Sequence, residues 1–240
     1  MEVAPGVHRL GNELINYYVV EADGGLLLVD AGLPGFYDQL VDFLRSRRRT
    51  VADLDAVLLT HAHPDHVGIA ERVRQAGVPV LVHEADADQA RTGKSHPREG
   101  NMLPYMRHRA LWRLLITAAR RGGLKTTKVA EVSTFGEGEL DVPGRPRAIH
   151  TPGHSPGHVV FSFPQQGALL AGDALCTYNP LTGRPGPQLM PGAFAWSNDR
   201  AMESLSRLED LEGVVLPGHG DPWTAGAAAA AARAREAGPS

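Results

Sequence analysis

Cysteine is almost missing from this chain: among 240 residues there is one, Cys176. A lone thiol rules out an intrachain disulfide framework and fits a reducing compartment. It also argues against a structural zinc site, which normally recruits thiolates. Long apolar runs are missing too, and none approaches the ~20 residues that cross a bilayer as a helix. The first residues, Met1-Glu2-Val3-Ala4-Pro5-Gly6, hold an acid but neither the basic nor the apolar region of a signal peptide. A cytoplasmic protein with no membrane span is the expectation. Charge of one sign is not in excess: 24 Lys and Arg stand against 27 Asp and Glu, a formal balance of −3. Nothing in that balance calls for nucleic acid as a partner. No tandem repeat or long linker divides the chain, so one domain over residues 1–240 is expected, long enough to bury a substantial core.

What the chain does have is concentrated. Thr60-His61-Ala62-His63-Pro64-Asp65-His66 packs four metal-binding side chains into six residues, directly after the apolar run Ala56-Val57-Leu58-Leu59. Imidazole and carboxylate together suit a borderline cation such as zinc. Three His and one Asp exceed what one tetrahedral ion needs from a single loop, so a catalytic site with room for two metals is suggested. The bland alternative is a surface His cluster.

The surrounding pattern is α/β. Ile15–Val20 and Leu26–Asp30 are expected strands of a hairpin turned by Asp23-Gly24-Gly25. A helix is expected over Phe36–Arg47, a strand over Asp55–Leu59, and a helix from an Asp65 cap to about Gln75, closed by Gly77. Pro79–His83 is another short strand. Residues from about 84 to 128 form a helical insertion, with Leu103, Met106, Ala110, Leu111, Leu114, Leu115 and Ala118 near helical spacing and Pro104 in the first turn. Strands return at Val129–Thr134, Arg147–His150, His158–Phe163, Ala168–Ala171 and Val214–Leu216. Pro180–Ser197 is a Pro/Gly-rich loop, Asp199–Leu208 a helix, and the Ala-rich tail Ala225–Ala237 has high helix propensity.

Four apolar runs end in a metal-binding residue. Val57–Thr60 leads to His61, Ala148–Gly153 to His154, Ala168–Gly172 to Asp173, and Val214–Gly218 to His219. Glycine precedes three of these residues, where it permits unusual backbone angles or close approach to a metal. A fifth run, Leu26–Val29, ends in Asp30. Asp30 is either a carboxylate that orients a ligand imidazole through its other nitrogen or a turn residue before Ala31-Gly32.

With these motifs in order, the chain closely resembles the metallo-β-lactamase-fold superfamily. The resemblance rests on His61-Ala62-His63-Pro64-Asp65-His66, Gly153-His154-Ser155-Pro156-Gly157-His158, Leu170-Ala171-Gly172-Asp173 and Pro217-Gly218-His219-Gly220. It implies a four-layer αββα sandwich with the metals at one edge of two sheets. It implies that His61, His63 and His154 hold one ion, that Asp65, His66 and His219 hold a second, and that Asp173 bridges them. The cofactors implied are two divalent ions, zinc first, with manganese, iron and cobalt left open. The implied reaction is hydrolysis of a small ester, thioester or lactone by a hydroxide shared between the metals, with Asp65 also orienting the nucleophile or assisting proton transfer. An iron persulfide dioxygenase with one metal and a non-catalytic binding protein are the alternatives on the same fold.

Within the superfamily the histidine pattern is similar to that of glyoxalase II-like thioesterases and acyl-homoserine-type lactonases. Only about twenty residues follow His219, which disfavours glutathione thioesters. The lactonases carry a Tyr three residues after the bridging Asp; here Cys176 stands there, and Tyr178 lies two further on. Tyr178 is therefore a candidate substrate contact, with Met106 from the insertion and Phe194 and Trp196 from the Pro/Gly-rich loop. Met102, Leu103, Tyr105, Met106 and Trp112 form either an apolar lid or a helix that covers core or makes a homodimer contact. Arg107, Arg109, Arg113, Arg120 and Arg121 either attract an acidic substrate or lie on a solvated helix face. Cys176 is expected to be a buried small hydrophobe, and His158 to have a structural role at a strand start.

Overall fold

Strict alternation of apolar side chains decides the layers of this protein, which a computed structural model describes over residues 1–239. In the third strand Tyr17 and Val19 face one way and Tyr18 and Val20 the other, yet all four are buried. A strand covered on both faces must lie inside a sandwich rather than on its surface.

The chain runs through β1 (Glu2–Ala4), β2 (Val7–Gly11), β3 (Asn16–Ala22), β4 (Gly25–Val29), α1 (Tyr37–Ser46), β5 (Ala56–Leu58), α2 (Pro64–Val67), α3 (Ala70–Arg74) and β6 (Val80–His83). Then come α4 (Ala87–Thr92), α5 (Arg109–Arg120), β7 (Ser133–Phe135), β8 (Gly138–Glu139), β9 (Arg147–His150), β10 (Val159–Phe163) and β11 (Ala168–Gly172). The last elements are β12 (Cys176–Tyr178), β13 (Pro185–Gln188), α6 (Asn198–Ser204), β14 (Val214–Pro217) and α7 (Ala227–Ala237). One sheet has seven strands in the order β1 to β7, a second has the order β14-β11-β10-β9-β8, and β12 pairs with β13.

The two larger sheets face each other across Tyr18, Leu27, Val29, Leu58, Phe161, Phe163, Leu170 and Leu216. On the far side of the first sheet lie Leu40 and Leu44 of α1, Val73 of α3, Ala90 of α4 and Leu111 and Leu114 of α5. On the far side of the second lie Ala201 of α6 and Ala227, Ala230, Ala231 and Ala234 of α7. The result is a four-layer αββα sandwich. Phe161 is fully buried at its centre, and truncating such a side chain to alanine costs about 3–5 kcal/mol. No helix is long and apolar enough to cross a membrane among the described residues.

Several expected elements differ. The helix from Asp65 to Gln75 is two pieces, because Gly68 N–H and Ile69 N–H donate to Gly32 and Ala31 carbonyls at 2.9 and 3.0 Å instead of to the preceding turn. Asp65 is not the cap: His63 holds that position, and Asp65 lies in the first turn. The strand expected at Val129–Thr134 shrinks to β7, because Val129 N–H is taken by Ala90 O at 2.8 Å. The helix around Leu103–Ala118 is interrupted at His108, which is extended between a 3-10 turn over Leu103–Arg107 and α5. β1, β2, β8, β12 and β13 were not expected; β13 runs inside the Pro/Gly-rich stretch.

Candidate metal centre

Strand ends build the site. β4 and β5 are parallel neighbours, with Val29 opposite Leu58, so the residues that follow, Asp30 and Thr60-His61, leave at the same edge. β11 and β14 are likewise parallel, with Leu170 opposite Leu216, and release Asp173 and His219 together. The sheets are tied at this rim: Val159 N–H donates to Thr60 O at 2.9 Å and Asn16 N–H to Gly218 O at 2.8 Å. Asn16 also spends its buried amide on Pro217 O (2.9 Å) and Gly220 O (2.7 Å), clamping the loop that carries His219.

All seven expected ligand residues meet here. Their donor atoms form three groups, His61/His63/His154, His61/His66/Asp173 and Asp65/His66/His219, each with its atoms within 4.8 Å of one another. Asp173 Oδ2 lies 3.2 Å from His154 Nε2, 3.3 Å from His219 Nε2, 3.6 Å from His66 Nε2 and 4.0 Å from His61 Nε2. It therefore faces both the first and the last group. His219 Nε2 is 3.4 Å from Asp65 Oδ2.

Outer partners set which ring nitrogen points inward. Asp30 accepts from Thr60 N–H (2.8 Å), Thr60 Oγ1 (2.9 Å) and His66 Nδ1 (2.8 Å). With its proton given to Asp30, Thr60 Oγ1 accepts from His61 Nδ1 at 3.0 Å. His219 Nδ1 donates to Leu14 O. His61, His66 and His219 thus turn Nε2 toward the centre, as orienting carboxylate and carbonyl partners do in metal sites. Asp30 holds this post with φ +58, a backbone region that side chains other than glycine seldom occupy and Asp tolerates. His158 is fully buried; its Nδ1 donates to Thr151 Oγ1 (2.8 Å) and its Nε2 accepts from Asp173 N–H (2.9 Å).

Protonation divides the cluster. Burial, reinforced by neighbouring imidazoles, pushes His61 and His154 well below the ordinary histidine value. Burial takes His63 down to about 4 against the pull of Asp65, and His158 down to about 3 against that of Asp173. Burial also opposes charge on His66 and His219, but carboxylates outweigh it. Asp30 and Asp173 hold His66 well above its ordinary value, and Asp173 and Asp65 push His219 up to about 10. Burial would raise Asp65 and Asp173, yet the facing histidines hold both carboxylates below their usual range.

The residues fit a cation. The near-neutral His63 and His154 bring Nδ1 and Nε2 to 2.7 Å, and His154 Nε2 is 3.1 Å from His61 Nε2. Three lone-pair donors converge on one point, which a shared cation satisfies better than protons distributed among neutral rings. His66 Nε2 and Asp173 Oδ1 are buried with no hydrogen-bond partner among the described residues, the condition of atoms shaped for another ligand. Glycine supplies the clearance. A Cβ on Gly218 would stand 2.4 Å from Asp173 Oδ1 and 2.5 Å from His66 Cε1. Gly172 has φ +48, and a Cβ there would meet Thr60 Oγ1 at 2.5 Å.

One buried carboxylate outside the sequence motifs also shapes the site. Asp86, fully buried just before α4, accepts from Ser155 Oγ (2.6 Å), Gly157 N–H (2.7 Å) and Ala62 N–H (3.1 Å). It thereby ties the loop of His61 and His63 to the loop of His154. Gln89 of α4 adds a bond to Ala62 O at 2.9 Å. The signal was present, since Asp86 follows the apolar run of β6 much as the other site residues follow theirs.

A cleft of about 260 Å³ opens over His63, Asp65, His154, Asp173 and His219. Its apolar wall is Leu114, Leu115 and Ala118 of α5, with Leu124, and opposite them Met190 and Phe194. Of the four expected substrate contacts only Phe194 lines it. Tyr178 borders a separate groove with Arg9 and Trp223. Met106 and Trp112 point outward, about half exposed, and Trp196 is 38% exposed outside the cleft. The α5 face turned away from Trp112 and Ile116 meets the site, and the helical period decides which. None of the five arginines considered for an acidic substrate lines the cleft: Arg113 pairs with Glu13 at 2.6 Å, and the lining cation is Arg98. Cys176 is fully buried, its thiol pushed well up by burial and by Asp173, and its Sγ donates to Leu189 O.

The family model described as "Metallo-beta-lactamase superfamily" matches residues 10–219. The chain belongs to that superfamily, which at this level makes it a metal-dependent hydrolase. It is 27% identical over 250 residues to the probable metallo-hydrolase YflN of Bacillus subtilis strain 168, covering 93% of this chain and 87% of that one. Among solved structures, the metallo-β-lactamase family protein TTHA1429 of Thermus thermophilus superposes with TM-score 0.69 at 27% identity, covering 97% of this chain and 79% of that one. TTHA1623, solved in a di-iron-bound form, gives TM-score 0.62 at 31% identity, covering 95% of this chain and 97% of that one.

Proposed function

We propose that the protein hydrolyses a small ester, thioester or lactone at a site that holds two divalent ions. The observation that carries this reading is the position of Asp173: its Oδ2 faces His154 at 3.2 Å on one side and His219 at 3.3 Å on the other. His61, His63 and His154 would hold one ion, Asp65, His66 and His219 the other, with Asp173 between. Zinc is the proposed ion; the di-iron form of TTHA1623 makes iron the ion to compare it with. Such a pair supplies Lewis acidity and lowers the pKa of water from 15.7 to about 7.

The chain's own residues do the rest. Asp65, kept ionised beside His219, lines the cleft, where its carboxylate would accept a hydrogen bond from the attacking water and orient it. Asp30, Thr60 and Leu14 O fix the rings of His66, His61 and His219 so that their inward nitrogens need no reorganisation. Leu114, Leu115 and Phe194 exclude water from the acyl side of the cleft.

The test joins metal quantification to a hydrolysis panel of lactones, thioesters, phosphodiesters and β-lactams, with Asp65→Ala and His154→Ala beside the native protein. Two ions per chain and turnover of a carboxylic ester, thioester or lactone that both variants lose are expected. Wild-type turnover by both variants on every accepted substrate would sink the proposed site. One iron per chain with oxygen consumption on a persulfide would replace hydrolysis by the dioxygenase reading.

A further inference from the structure

We propose that the cleft selects substrates whose acyl part ends in an anionic oxygen group, and that Arg98 recognises that group. For the reaction this rests on the hydrolase reading above; for binding it stands alone.

Among the described residues Arg98 is the one Lys or Arg lining the cleft, and every other lining side chain away from the metal-binding cluster carries no charge. Among the described residues no carboxylate lies within ion-pair distance of it. The adjacent carboxylate does not neutralise it: Glu99 turns away and accepts from Asn198 N–H. The backbone beside Arg98 is anchored, although its side chain is exposed. The next two residues are pinned to the opposite wall by Glu99 N–H to Ala195 O at 2.9 Å and Gly100 N–H to Gly192 O at 2.8 Å. Its guanidinium stands 5.6 Å from the ring centroid of Phe194, itself a wall residue, a contact that orients the planar fork without using its N–H donors.

An exposed guanidinium with free donors, set beside Phe194 on an apolar cleft, is suited to a carboxylate or phosphate, which it can take with two parallel bonds. The same cleft is lined by His63, Asp65, His154, Asp173 and His219 of the metal-binding cluster. A substrate that satisfies both has a scissile acyl group, a short apolar segment and a terminal oxyanion. A neutral acyl chain of equal length satisfies the wall but leaves Arg98 to water.

The experiment compares mono-p-nitrophenyl glutarate with p-nitrophenyl valerate, which differ in a terminal carboxylate against a methyl group, in the metal-loaded native protein, Arg98→Met, Arg98→Lys and Arg109→Met. Binding of glutarate, valerate and 4-phosphonobutyrate to the same proteins as purified is measured by calorimetry. Methionine retains an apolar stem against Phe194, so the comparison isolates the charge. In the native protein the glutarate ester is expected to have a KM about ten-fold below the valerate ester, the effect of one charge-assisted contact at a partly open site. Arg98→Met brings that ratio to near one, Arg98→Lys restores part of it, and Arg109→Met leaves it at the native value. Stronger binding of 4-phosphonobutyrate than of glutarate would identify phosphate as the natural group, and the reverse a carboxylate. If both esters are hydrolysed but the ratio does not depend on Arg98, the inference falls and the hydrolase stands. If neither is hydrolysed but glutarate binds more tightly than valerate through Arg98, the hydrolase reading of these esters falls and the anion site stands. Equal binding of glutarate and valerate by the native protein overturns the inference.

Discussion

Replacing Asp86 by alanine removes the acceptor that three donors from two loops share. Ala62 N–H, Ser155 Oγ–H and Gly157 N–H lie 3.1, 2.6 and 2.7 Å from its oxygens, and the residue has no exposed surface. Each buried donor left without a partner costs about 1–3 kcal/mol. Water entering the vacated space recovers part of that, which leaves a loss of about 3–5 kcal/mol. That is a large share of the ~5–15 kcal/mol that separates a folded domain from its unfolded chain. Asp86→Asn keeps one acceptor but turns an NH2 group toward facing donors, so a loss of about 2 kcal/mol is expected. The assay is urea unfolding of chelator-treated protein, followed by titration with cobalt(II) and its visible spectrum. Because Asp86 ties the His63 loop to the His154 loop, the spectrum of the His61/His63/His154 group should change. The His66/His219 group has its own anchors in Asp30 and Leu14 O, and should keep its affinity. A loss below 1 kcal/mol together with an unaltered cobalt spectrum in Asp86→Ala would refute the idea that this carboxylate positions the ligands.

Three further outcomes are expected. His66 and His219 are held protonated by Asp30, Asp65 and Asp173, so cations must displace protons: calorimetry in buffers of different ionisation heat should show proton release at pH 7, with affinity rising as pH rises toward about 10, and no release would contradict the assignment. Gly218→Ala should abolish binding at the His66/Asp173 side, read as metal content, since its Cβ would lie 2.4 Å from Asp173 Oδ1; full metal loading would count against the geometry. Arg74 and Ala130 N–H outweigh burial and lower Glu71 to about 2, so its contribution is present above the unfolded value near 4.5 and is lost as pH falls through about 2. Glu71→Gln should therefore cost on the order of 1 kcal/mol at pH 7 after solvent screening, with the gap to the native protein narrowing below pH 4.5. An equal gap at every pH would show that charge is not involved.

The strands that carry the site were legible because each is an apolar run ended by a turn and a donor. The hairpin of β3 and β4 and the helix α7 were legible for the same reason, a strong local pattern. β1 and β2 were not, since Val7-His8-Arg9-Leu10-Gly11 has no clean alternation and gains its order from pairing with β3. β13 was hidden by Pro185 and Gly186, residues tolerated there because the strand pairs only with β12. The break at Gly68 could not be foreseen, because its cause is the carbonyl of Gly32, distant in sequence.

The same division runs through the site. His61, His63, Asp65, His66, His154, Asp173 and His219 were legible from the chain as candidate ligands, and the structure brings them together, because metal binding demands particular donor atoms and those atoms come with residue types in recognisable motifs. The cleft was not identifiable. Tyr178, Met106 and Trp196 have suitable chemistry, but helix phase and strand pairing turn them elsewhere, while Leu114, Ala118 and Arg98 are brought over the cluster by contacts with segments far away in sequence. Asp86 likewise acquires its role only where three loops meet. Donor identity is local and is written in the sequence; direction and proximity depend on how distant segments pack, and only the tertiary structure decides them.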